Sequence, residues 1–169
     1  MRLVHYSDRE VRLPLDPITQ AVAPSLKPIG FWLSDDDAEV TWRRWCEEAD
    51  IFLERLTHVH DVTLAADCRA LQLGTPSAID QFTEAYSVDL LPGIRRGIYV
   101  DWARVARDYD ALICSPYVWE RRLGPMWYYG WDCASACVFN PAAVGSIVLR
   151  SAFAGDATWG NHAGRKALS

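Results

Sequence analysis

Residues 127–137, Trp127-Tyr128-Tyr129-Gly130-Trp131-Asp132-Cys133-Ala134-Ser135-Ala136-Cys137, place four aromatic rings, one carboxylate, one serine hydroxyl and two thiols in one short stretch. A core strand has no use for the Asp and the Ser, and a surface loop has no use for the Trp and Tyr. Large aromatics gathered around a few polar groups are the lining of a small-molecule pocket. A carboxylate held among such rings suits stabilisation of a developing positive charge, and the same low dielectric raises its pKa toward general-base work. Cys133 and Cys137, with Cys114, His58 and His60, leave two other chemistries open: a metal site, whose paired four-ligand spacing is incomplete here, and a Cys–His nucleophile. No Gly-rich phosphate loop or dinucleotide fingerprint occurs in the chain.

Two further segments carry polar groups at strand-like positions: Leu3-Val4-His5-Tyr6-Ser7, and Lys27-Pro28-Ile29-Gly30-Phe31-Trp32-Leu33-Ser34. Each also has a plain reading. His5 can be a structural histidine, residues 30–34 a core strand, Asp132 a turn residue bonding local amides, and the aromatics an interface patch. Arg95, Arg96, Arg104, Arg107, Arg121 and Arg122 read as solvated positions that, if clustered, can receive a pyrophosphate or a nucleic-acid backbone.

The elements that must position these groups follow from the pattern. Strands are expected at 2–7 and 29–34. A helix is expected over 36–56, opened by Ser34-Asp35-Asp36-Asp37 and striped by Val40, Trp42, Trp45, Cys46, Ile51, Phe52 and Leu56. Partial alternation marks a strand at 58–66, and another follows at 70–73. Thr75-Pro76-Ser77 opens a second helix with Pro at its first position. Residues 89–97 read as a loop and 101–109 as a short amphipathic helix. Strands at 111–114, 136–139 and 147–149 follow, with a turn of helix at Asn140-Pro141. Residues 8–28, with four prolines, form a long loop, a length that often signals function or mobility. The mixture lacks regular βαβ alternation, so the expected class is α+β: one domain over 1–154 with a mixed or antiparallel sheet, and a C-terminal tail at 155–169.

Composition narrows the function classes. The 169 residues suffice for one domain with a real core. A formal net charge of −5 argues against a protein that coats nucleic acid or an anionic membrane. No apolar run reaches membrane-spanning length, and the N-terminus lacks a secretion signal's pattern. Five scattered cysteines suit free thiols in a reducing cytoplasm better than a disulfide framework. Eight tryptophans, rarely spent on surface, must fill core, line a pocket or form an interface.

A His near the N-terminus followed by a Gly-aromatic-aromatic-aliphatic-Ser strand resembles the ADP-ribosyltransferase superfamily, in its diphtheria-toxin-like and poly-ADP-ribose-polymerase-like branches. The chain also resembles small bacterial and phage proteins that share the His-Tyr-Ser start, the Lys-Pro-x-Gly strand and the Trp-Asp-Cys-Ala-Ser stretch. The resemblance implies an ADP-ribosyltransferase-like fold and NAD as substrate. It places His5 on the ribose, with Tyr6 and Ser7 beside it. Gly30 gives close backbone approach, and Phe31, Trp32, Ser34, Tyr129 and Trp131 border the nicotinamide side. The third-motif acidic role falls to Asp132, with Ser135 beside it as a further catalytic candidate and Glu84 and Glu120 as other acids. It further implies a toxin or phage effector whose acceptor is a host protein or nucleic acid. Two other classes stay open: a non-enzymatic protein that inhibits a host factor through its aromatic surface, and a binder of a different nucleotide on the same fold.

Overall fold

The computed structural model describes residues 1–88 and 99–152. The expected tail at 155–169 and the loop at 89–97 lie outside the described residues.

A mixed seven-stranded sheet organises the chain: β1 (Leu3–Ser7), β2 (Phe31–Asp35), β3 (His58–Leu64), β4 (Ala70–Gln72), β7 (Ala111–Cys114), β8 (Ser135–Val138) and β9 (Val144–Ala152). In space the order is β4-β7-β8-β2-β1-β3-β9. Every pair is antiparallel except β4–β7. A parallel pair needs a long crossover. Here it carries α2 (Pro76–Tyr86), the small ribbon β5 (Ser87–Val88) and β6 (Tyr99–Val100), and α3 (Trp102–Asp108). The class is α+β in a single domain, as the pattern predicts.

Strand alternation sends side chains to two apolar layers. On one face Trp32, Leu112, Cys114 and Cys137 meet Ile79, Phe82, Trp102, Val105, Trp127, Tyr128 and Trp131 from the helices and the 127–131 segment. On the other, Leu3, Leu33, Val62, Ile113, Ala136 and Val138 pack with Ala143, Val144 and Leu15 of the long N-terminal loop. Asp110, 7% exposed, clamps one end of the sheet. Its carboxylate accepts from the backbone N–H, Nε and Nη2 of Arg69, each at 3.0 Å, and from Asn140 Nδ2 at 3.0 Å. Those bonds tie the starts of β4 and β7 to the end of β8.

The helix expected over 36–56 is a correction. The structure has α1 at Trp42–Ala49 and a separate 3₁₀ turn at Leu53–Leu56. Thr41, not Ser34, caps α1 by accepting from the Arg44 N–H, while Ser34 Oγ accepts from Trp42 N. Left-handed Asp50 (φ 55°) is the C-cap that ends the helix, and Phe52 (φ 56°), also left-handed, precedes the 3₁₀ turn. Asp tolerates that region through local bonding. A left-handed Phe is a context effect, and propensity carries no sign of it. Four elements went unforeseen: β5, β6, a 3₁₀ turn at Trp119–Arg121, and α4 (Met126–Tyr129), one helical turn at the head of the aromatic stretch.

Candidate functional site

The structure divides the sequence-selected residues between the two sheet faces. His5 and Phe31 share one face, with ring centroids 4.3 Å apart. The His5 Nδ1–H donates to the Trp32 carbonyl at 2.9 Å, so the ring braces the strand carrying the indole. Burial pulls the His5 pKa down, opposed by this bond and assisted by nearby His60. Tyr6 points the other way; its hydroxyl donates to Asp36 Oδ2 at 2.7 Å, and Arg43 lies over its ring. Ser7 Oγ donates to the Arg9 carbonyl. Ser34 and Ser135 are paired across β2 and β8 and buried. Their hydroxyls meet the Trp42 N–H and the Cys133 carbonyl.

Gly30 allows a close approach, to β8. A Cβ there would lie 2.2 Å from Cys137 Sγ and 2.8 Å from the Val138 carbonyl oxygen. Glu84 and Glu120 are exposed, away from the layered core.

Four selected residues do gather. Trp32 and Trp131 pack at 4.7 Å between ring centroids. Asp132 follows Trp131 and pairs with Lys27 Nζ at 3.9 Å. Lys27 in turn lies over the Trp32 ring, 5.4 Å from its centroid. Gly130 makes this possible: a Cβ at that position would meet Lys27 Cε at 2.8 Å. Tyr129, half exposed, lies beneath the guanidinium of Arg122 at 6.0 Å, and that group also covers Trp119 at 5.3 Å. Arg122 has no ion-pair partner among the described residues. Burial pushes the Asp132 carboxyl up, while Lys27 and Arg122 pull it back.

Two buried donors next to this cluster lack partners among the described residues: the Tyr117 hydroxyl and the Trp131 indole N–H. Tyr117 is 8% exposed and Trp131 is 2% exposed. Burial raises the Tyr117 hydroxyl to about 12, with Arg122 opposing and Asp132 reinforcing, so these groups act on one another. An unsatisfied buried donor costs about 1–3 kcal/mol. A ligand oxygen or a bound water relieves it.

Beside the cluster, a cleft of about 470 Å³ opens at the carboxyl ends of β2, β4 and β7. Asp35, Glu39, Gln72, Ser115, Tyr117 and Trp119 line it. The buried Asp35 carboxylate accepts from Ser115 Oγ at 2.6 Å.

The thiols are held protonated. Burial raises Cys133 to about 12 and puts Cys114 and Cys137 well above the ordinary thiol value. A nucleophilic cysteine requires the opposite environment. No group of three or more His, Cys, Asp or Glu side chains stands within metal-holding reach among the described residues.

Sequence reasoning passed over Lys27 and Tyr117 as site residues. Lys27 sits in the quoted Lys-Pro-x-Gly segment, and its cation was the available signal. Tyr117 follows the buried run at 111–114, the place where a strand's carboxyl end delivers functional side chains.

Fold and site together define a small α+β protein with one half-buried carboxylate set between cations and indoles. The chain matches no protein-family model, no curated protein and no solved structure. Among the described residues, no helix is long and apolar enough to cross a membrane.

Proposed function

We propose that the Asp132 cluster binds an NAD-type nucleotide and that the protein is ADP-ribosyltransferase-like, acting on a host macromolecule. The observation carrying this reading is a carboxylate raised by burial beside two cations, the Trp32–Trp131 pair and two unpartnered donors. Lys27 and Arg122 suit a pyrophosphate, and the partly exposed rings of Trp32 and Tyr129, with Trp131 packed behind Trp32, suit a flat nicotinamide ring. In the reaction the bond between nicotinamide nitrogen and ribose C1′ breaks, and nicotinamide leaves with the bonding pair. Asp132 stabilises the cationic ribose and takes the acceptor's proton as the acceptor bonds to C1′. Ser135, with its hydroxyl on the Cys133 carbonyl, holds the turn that presents Asp132. His5 is a positioning residue, acting through the Trp32 carbonyl. The ADP-ribosyltransferase-like fold belongs to this same proposal, supported by the antiparallel β1–β2 pair that brings the His5 and Gly30 segments side by side.

The test is calorimetry with NAD, ADP-ribose and nicotinamide, followed by nicotinamide release with and without a host lysate. Binding of NAD that is weakened by Trp32→Ala supports the reading. A well-folded protein that neither binds NAD nor releases nicotinamide rejects it.

A second reading rests on a separate observation. Trp119, Leu123, Met126 and Tyr129 are 51%, 80%, 45% and 48% exposed within one short segment. Contiguous exposed apolar side chains mark interaction surfaces. They favour a non-enzymatic protein that grips a host factor, the outcome left standing if NAD does not bind.

A further inference from the structure

The sheet face turned away from Asp132 carries three imidazoles close together. His5 on β1 is in register with His60 on β3, with ring centroids 5.9 Å apart, and His58 lies 6.4 Å from His60 on the same strand. His60 is fully buried. Its two nitrogens have opposite duties. Nδ1–H donates to the His5 carbonyl at 3.4 Å, and Nε2 accepts from the Val11 N–H at 3.0 Å. Both partners are backbone groups of fixed polarity, so the pattern admits one form of the ring: neutral, with its proton on Nδ1. The Val11 bond ties the proline-rich 8–28 segment to the sheet. Four residues on, Leu15 packs into the apolar layer on this face.

We propose that His60 is an acid-sensitive latch, which holds the segment around Val11 on the sheet while neutral and releases it on protonation. A proton on Nε2 turns the acceptor into a donor. Two N–H groups then face each other, and the bond is lost. The groups facing the ring are His5 from β1, His58 from β3 and Glu10 from the segment itself, with Glu10 paired to Arg12 at 2.7 Å. From β9 the residue in register is the uncharged Leu149. Desolvation and the neighbouring His58 oppose charging, while the bond to the His5 carbonyl and Glu10 favour it; the balance lowers the His60 pKa. Release therefore lies on the acid side of about pH 6.5.

Amide hydrogen exchange, corrected for the intrinsic rate, tests the latch between about pH 7.5 and about pH 4.5. Protection at Val11 is expected to fall by about tenfold, the worth of one hydrogen bond, while amides of β2 and β8 keep theirs. His60→Gln is expected to remove that pH dependence, because its side-chain carbonyl can accept from Val11 without titrating. Unchanged protection at Val11, or an equal fall in β2 and β8, overturns the proposal. The imidazole ¹⁵N shifts of the unaltered protein decide the matter if the variant does not fold. A bare Nε2 at neutral pH that gains its proton as Val11 loses protection supports the latch. An Nε2-protonated or already charged ring at neutral pH overturns it.

Discussion

At Asp132 one side chain carries most of the proposed chemistry, and its environment separates binding from turnover. Its charge is needed most when the ribose becomes cationic, so Asp132→Asn is expected to lower kcat by about a hundredfold or more, the cost of removing one preorganised electrostatic group, with KM little changed. Nicotinamide release by the two proteins measures this, and equal rates would remove Asp132 from the mechanism. Gly30 makes a different, purely steric demand. With 2.2 Å to Cys137 Sγ and 2.8 Å to a carbonyl oxygen, no side chain fits without moving β2 away from β8. Gly30→Ala is expected to destabilise by about 1–3 kcal/mol, the range for overpacking a filled interior. A urea unfolding midpoint unchanged from the parent would contradict that.

Among the elements, the sheet is fixed at one end and open at the other. Asp110 gathers β4, β7 and β8 at the fixed end, and the cleft lies at the opposite one. Arg69 and Asn140 hold the Asp110 carboxyl well below the usual carboxylate range. The folded form therefore binds its proton less readily than the unfolded chain does. The resulting stability is full above about pH 4, the unfolded value, and is lost as pH falls through the lower folded one. Asp110→Asn is expected to cost about 1–3 kcal/mol at neutral pH, and to flatten the decline below pH ~4. Urea midpoints measured across that range test both. The elements themselves were largely legible, because alternation and caps are local: 111–114 is a strand as read, and Thr75-Pro76 does open α2. The bounds of α1 were hidden, since Ser34 and Thr41 both offer a capping hydroxyl and only the fold selects Thr41, and since Asp50 closes the helix in left-handed backbone with no glycine to signal it. The site was legible in part. Clustering rings and a carboxylate in sequence brought Trp131, Asp132 and Tyr129 together at once. Which face each strand residue takes depends on register, and that put His5 and Trp32 on opposite sides of one sheet.

For the whole molecule, the crossing of early and late segments matters most. β2 lies between β1 and β8, with Leu33 in register with Ala136, while β3 pairs with the last described strand, β9. Such long-range pairing closes large loops before any contact repays them, which places folding toward the slower, millisecond-to-second class. It also orders events during synthesis. Until the 135–138 segment has left the ribosome, one edge of β2 has no partner, and an unpaired apolar edge is a template for aggregation. Chains ending before residue 135 are expected to show no cooperative unfolding transition and to accumulate as insoluble material. A soluble, cooperatively unfolding fragment would refute this. The stretch richest in proposed chemistry thus runs into β8, the strand that joins β2 to β7, and a nascent chain has neither a continuous sheet nor a usable site until that strand has emerged.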